Sequence, residues 1–122
     1  MLTDRILKKG DGWRIGWNPY AEIYQGLVGS DEWAIELTET EFHDFCRLLL
    51  QLDRTMQEMS AELVSEERIA CEAESDQVWL EVEGYPHAFS LRLIVQTGRG
   101  AEGNWSESPL PELIAVVKKN FA

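Results

Sequence analysis

Histidine and cysteine are scarce in this chain, two of each among 122 residues. A transition-metal site needs several convergent nitrogen, sulfur or carboxylate ligands. Neither a Cys-x-x-Cys nor a His-x-x-x-His pair is present. His43 and Cys46 stand three apart and share a helix face,, which is too little for a metal centre, so no metal and no cofactor is expected. The same two residues are the nearest approach to a nucleophile beside a base. Cys46 flanks an apolar stripe, however, and reads as a structural cysteine. No Gly-x-Ser-x-Gly elbow occurs,. The expectation is a protein that is not an enzyme.

Positive charge is also in short supply. Eleven Lys and Arg stand against 22 Asp and Glu, a formal net charge of -11. Such a chain is repelled at long range by polyphosphates and anionic membranes and favours cationic or neutral partners. Long apolar runs are missing: none approaches the roughly 20 residues of a membrane span. The opening "MLTDRILKKG" lacks the apolar centre of a signal peptide,. A cytoplasmic protein with reduced cysteines and no membrane contact is the expectation.

What is present describes one globular domain over residues 1–122, of a size that buries roughly two thirds of its unfolded surface,. The charge is uneven. Residues 1–17 carry Arg5, Lys8, Lys9 and Arg14 against Asp4 and Asp11, whereas residues 30–67 carry eleven acidic side chains against Arg47 and Arg54. The acidic stretch reads as a solvated helix face, or as a docking surface for a basic partner.

The longest element is "TETEFHDFCRLLLQLDRTMQEMSAEL". Phe42, Phe45, Leu49, Leu52, Met56, Met59 and Leu63 form a continuous stripe at helical spacing,. Thr38 and Glu41 form a capping box, and neither Gly nor Pro interrupts residues 39–63. A helix of about 25 residues follows, roughly 37 Å long at 1.5 Å per residue. One sheet is not expected to cover all of it, so Leu52, Met56, Met59 and Leu63 are candidates for a self-association stripe.

Four strands are expected before this helix, in "DRILKKG", "GWRIGWN", "AEIYQGLVG" and "DEWAIEL", with turns at Gly10-Asp11-Gly12, Asn18-Pro19 and Gly29-Ser30-Asp31,. Four more are expected after it, in "RIACEAE", "QVWLEVEG", "HAFSLRLIVQT" and "NWSES", then a second helix in "PLPELIAVVKKNF",. The expected fold is α+β: antiparallel sheets packed against one long central helix and one C-terminal helix. Shifting the sequence by 72 places Trp33 on Trp105, Phe42 on Ile114, Phe45 on Val117 and Leu49 on Phe121. The halves 1–64 and 65–122 therefore read as a pseudo-repeat of four strands and a helix.

Two further features ask for a function. "GRGAEG" at residues 98–103 matches a loose Gly-x-Gly-x-x-Gly, but no helix follows directly, so it reads as a hairpin loop and not as a phosphate cradle,. "GDGWRIGWNP" sets Trp13 and Trp17 on one strand face with Ile15, and Arg14 on the other. With Tyr20 and Tyr24 these residues are the candidate binding face for a single-stranded nucleic acid, which needs aromatics and cations on one surface. The alternative is a pair of core anchors, since a buried tryptophan is worth about 3–5 kcal/mol.

"GWRIGWNP", "QGLVGSDEWAIELTETEFHDFCRLLLQL", "IACEAES", "VWLEVEGYPHAFSLRLIVQTGRGAEG" and the closing "PELI" helix resemble a small uncharacterised cyanobacterial family, domain of unknown function 1818. The resemblance implies a fold like that of the Whirly and positive-cofactor-type single-stranded-DNA-binding transcriptional regulators. The lysine-rich strand motif of Whirly proteins has no counterpart in this sequence, so no binding residue carries across. The function expected is a cytoplasmic interaction module that binds a partner protein or a second copy of itself as a homodimer. The alternative is a single-stranded nucleic-acid binder, which the net charge disfavours.

Overall fold

A computed structural model describes residues 4–60 and 67–122. Alternation of large apolar and small or charged side chains builds the strands. Residues Ile6–Gly10 (β1), Trp13–Trp17 (β2), Gly26–Gly29 (β3) and Ala34–Leu37 (β4) form an antiparallel sheet in sequential order. Glu39–Met59 (α1) follows. Ile69–Glu74 (β5), Val78–Tyr85 (β6), Ala88–Val95 (β7) and Glu102–Trp105 (β8) form a second such sheet, and Leu110–Phe121 (α2) closes the chain. The fold is α+β, with four strands and then a helix in each half.

The inner faces are those the alternation selects. Trp13, Ile15, Trp17, Val28, Ile35 and Leu37 are buried on the first sheet, and Val78, Leu80, Val82, Phe89, Leu91, Leu93 and Val95 on the second. Helix α1 spans the two. Phe42 at its start lies over Gly26 and meets Trp17 at a ring distance of 5.3 Å. Met59 at its end brings its sulfur within 3.9 Å of the Cys71 thiol on β5. Helix α2 packs on α1, β2 and β7 through Leu110, Leu113, Ile114 and Val117. Trp105 ties the halves together: its indole N–H donates to the Gly29 carbonyl at 2.8 Å, and its ring meets Trp33 and Phe45.

The capping box forms as expected. The Thr38 hydroxyl accepts from the Glu41 N–H, and the Glu41 carboxylate accepts from the Thr38 N–H. The helix is described to Met59, with Ser60 N–H still bonded to Met56 O; Leu63 lies outside the described residues.

Strand ends shift by a residue or two in several places, and three strands depart from expectation for a definable reason. The third strand was expected over residues 21–29, but only Gly26–Gly29 pairs. Residues 18–25 close a loop in which Asn18 N–H bonds Gln25 O at 2.7 Å and the Asn18 side chain accepts from Tyr20 N–H. An asparagine that bonds its own downstream backbone competes with a ladder in this way. The fourth strand begins at Ala34, because a Ser30–Trp33 turn, closed at 2.9 Å, removes Trp33 from it. Trp33 lies instead over Gly103, where a Cβ would come within 2.4 Å of its ring. The last strand starts two residues earlier than "NWSES", at Glu102.

Candidate functional site

The five residues of the candidate binding face do not come together on one exposed surface. Trp13 and Trp17 are 5% and 3% exposed. The Trp17 ring packs near Phe42 and His43 of α1, at 5.3 and 5.5 Å. The Trp13 indole N–H reaches Glu112 on α2 at 3.4 Å. Arg14 points to the opposite side of β2 and donates to the Ser30 carbonyl at 2.9 Å. Tyr20 is exposed in the β2–β3 loop, and Tyr24 is half-buried beneath the Arg99 guanidinium, 4.8 Å from the ring centre. Period-two alternation decided this: the side of β2 that carries both tryptophans also carries Ile15, and that side faces the core.

The candidate self-association stripe is likewise placed inside. Leu52 and Met56 are buried within their own chain, and Met59 is half-buried near Cys71. The second sheet and α2 together cover the part of α1 that one sheet could not. Leu63, the fourth member, lies outside the described residues. His43 and Cys46 part company: His43 is exposed, and Cys46 is buried. Burial pushes the Cys46 thiol well above its ordinary pKa, the reverse of what activates a nucleophilic thiolate.

The "GRGAEG" segment is a β7–β8 hairpin loop in which Gly98 and Gly100 take positive φ. Its arginine turns back to α1. Arg99 donates to the buried Glu41 carboxylate at 2.7 Å, and the Thr97 hydroxyl donates to the other Glu41 oxygen. The loop is locked to the helix N-terminus by these bonds. The acid of the capping box is the hub, and its second role was not legible in the sequence.

The outer face of the second sheet is the most distinctive surface. Register sets Glu72 opposite Glu81, Glu81 opposite Arg92, Glu74 opposite Trp79, Trp79 opposite Ile94, and Ile94 opposite Glu102. With Glu83, five carboxylates therefore point outward around half-buried Trp79 and Ile94. Arg92 lies 5.8 Å from the Trp79 ring centre and 3.6 Å from Glu102. Arg68 borders the patch, 3.5 Å from Glu83. The alternation of "ACEAE" and "WLEVE" marks each glutamate as outward. Only the pairing of β5 with β6 sets the two rows side by side.

Comparison with known proteins places the chain in a family. The model of a domain of unknown function, DUF1818, matches residues 8–120. The chain belongs to the DUF1818 family. A crystal structure of a protein of unknown function from Prochlorococcus sp. NATL2A, described as from the DUF155 family, is similar to it. The two share 26% identity, with 96% of this chain and 99% of that one covered at a TM-score of 0.89. No curated protein matches it. Among the described residues, no three His, Cys, Asp or Glu side chains of this DUF1818 chain gather as metal ligands, and no described helix is long and apolar enough to cross a membrane. Membership of the family carries no specific function.

Proposed function

We propose that this protein is a non-enzymatic interaction module that docks a basic segment of another protein on the acidic outer face of its second sheet. The observation that carries the reading is the pairing of Glu72 with Glu81. Like charges directly opposite one another on a sheet face are destabilising. The Glu72–Glu81 pair is kept at a cost to the sheet, while Arg92 and Arg68 offset part of the charge of Glu81, Glu83 and Glu102. Trp79 and Ile94 supply an apolar centre inside this acidic rim, the arrangement suited to a basic and partly apolar partner. The same face repels a polyanion. The single-stranded nucleic-acid role implied by the Whirly resemblance would need an exposed aromatic and cationic surface, and Trp13 and Trp17 are buried. A cytoplasmic setting in a cyanobacterial cell completes the reading. The Prochlorococcus neighbour accords with that source, and the unpaired Cys46 and Cys71 suit a reducing compartment,.

The test uses a labelled peptide rich in Lys and Arg with interspersed Leu and Trp, a charge-reversed Glu and Asp peptide, and a single-stranded oligonucleotide, each at low salt. The basic peptide alone is expected to bind, more weakly as salt rises, and the combined Glu72→Gln, Glu81→Gln and Glu83→Gln variant is expected to lose it. Equal binding by that variant, or binding of the oligonucleotide in place of the peptide, overturns the reading.

A further inference from the structure

A cleft of roughly 530 Å³ opens between α1, α2 and the turn that joins β6 to β7, within the roughly 300–1,000 Å³ range of small-molecule sites. Its inner polar group is Asp53 of α1, which is 7% exposed. A buried carboxylate is costly unless it is paired. Here the pairing comes from outside: the Lys118 ammonium, on a side chain 59% exposed, reaches in from α2 to 3.1 Å. Gln57, one turn along α1, donates to the other Asp53 oxygen at 3.3 Å. Glu107 adds a second carboxylate to the lining, His87 sits at the rim, and Phe89 and Ile114 supply an apolar wall.

We propose that this cleft binds a small organic ammonium carrying a short apolar body, with Asp53 as its counter-ion. Two carboxylates beside an apolar wall suit a cation with a hydrophobic tail, and an anion would meet both acids. Lys118 occupies the position the ligand ammonium takes. It is tethered by a flexible chain whose freedom is lost when it reaches inward, so it is a replaceable occupant. An internal competitor lowers apparent affinity in proportion to the fraction of time it holds the site. The required chemistry exists on a free amine and on a lysine side chain.

The experiment titrates the full chain with phenethylamine, with Nα-acetyl-lysine methylamide, and with phenylpropionate as the anionic control, read by calorimetry and by amide chemical shifts. One or both ammonium probes are expected to bind at millimolar concentration and to shift the Gln57, Ala115 and Lys118 amides. The tighter of the two identifies the source. Lys118→Met is expected to bind the amine about tenfold more tightly, because the competitor is gone, and Asp53→Asn is expected to lose it. A merely structural ion pair would give no gain in the Lys118 variant. Binding that ignores both substitutions, equal binding of phenylpropionate, or silence from both ammonium probes overturns the proposal. The Glu72, Glu81 and Glu83 substitutions are expected to leave amine binding unchanged, so this site and the acidic sheet face fail or stand separately.

Discussion

Glu41 and Arg99 are 58 residues apart in sequence and 2.7 Å apart in the fold. Glu41 is 1% exposed and also accepts from the Thr38 N–H and the Thr97 hydroxyl. One carboxylate thus caps α1 and anchors the β7–β8 loop. Breaking a buried pair from one side leaves the remaining charge without its partner. Arg99→Ala leaves the buried Glu41 carboxylate without its counter-charge and is expected to cost up to about 3–5 kcal/mol,. Glu41→Ala leaves an arginine that can turn to solvent, and is expected to cost less, about 0.5–2 kcal/mol, chiefly from the lost cap,. Urea denaturation checks this, as a lower midpoint at unchanged slope.

Trp17→Ala is expected to destabilise the chain by about 3–5 kcal/mol, the range for a truncated core aromatic. The ring is 3% exposed and packs near Phe42 and His43. A stability change below about 1 kcal/mol, the level of ordinary surface substitutions or little more, would contradict the burial of this side chain.

Cys46 makes stability depend on pH on the alkaline side. Burial raises its folded pKa above the unfolded value, which for a thiol is about 8.5. Its contribution is therefore fully present below about pH 8.5 and is lost as pH rises toward the folded value. The slope expected in that window is about 1.4 kcal/mol per pH unit from this group. Denaturation midpoints between pH 8 and 10 are expected to fall less steeply in Cys46→Ala (the window follows from the same unfolded value). Thiol labelling of the native protein is expected to modify half-buried Cys71 before buried Cys46,.

Glu72→Lys converts the like-charge pair with Glu81 into an opposite pair. A gain of about 0.2–1 kcal/mol is expected, together with loss of affinity for the basic peptide. Stability and binding moving in opposite directions is the signature of a charge kept for recognition. Thermal denaturation and the peptide titration, run on one preparation, read both.

Much of this protein follows from local pattern. The alternation in "WRIGW", "VWLEVE" and "FSLRLIV" fixed which side of each strand is buried, because side chains on a strand alternate strictly. The 3,4 spacing of Phe42, Phe45, Leu49, Leu52 and Met56, with the Thr38 and Glu41 box, fixed the start and buried stripe of α1. The order of elements, four strands and a helix in each half, was legible for the same reason. Tertiary structure decided what those faces meet. Strand spacing gave Trp13 and Trp17 a common side, and packing under α1 and α2 made it a core. Helical spacing gave Leu52 and Met56 a common stripe, and the second sheet and α2 covered it within one chain. The Glu41–Arg99 lock and the Asp53–Lys118 cleft join residues far apart in sequence, and the acidic row depends on the register of β5 on β6. Periodicity reports the direction of a side chain relative to its own backbone, whereas charge pairing and cleft formation depend on strand register and on how the elements pack.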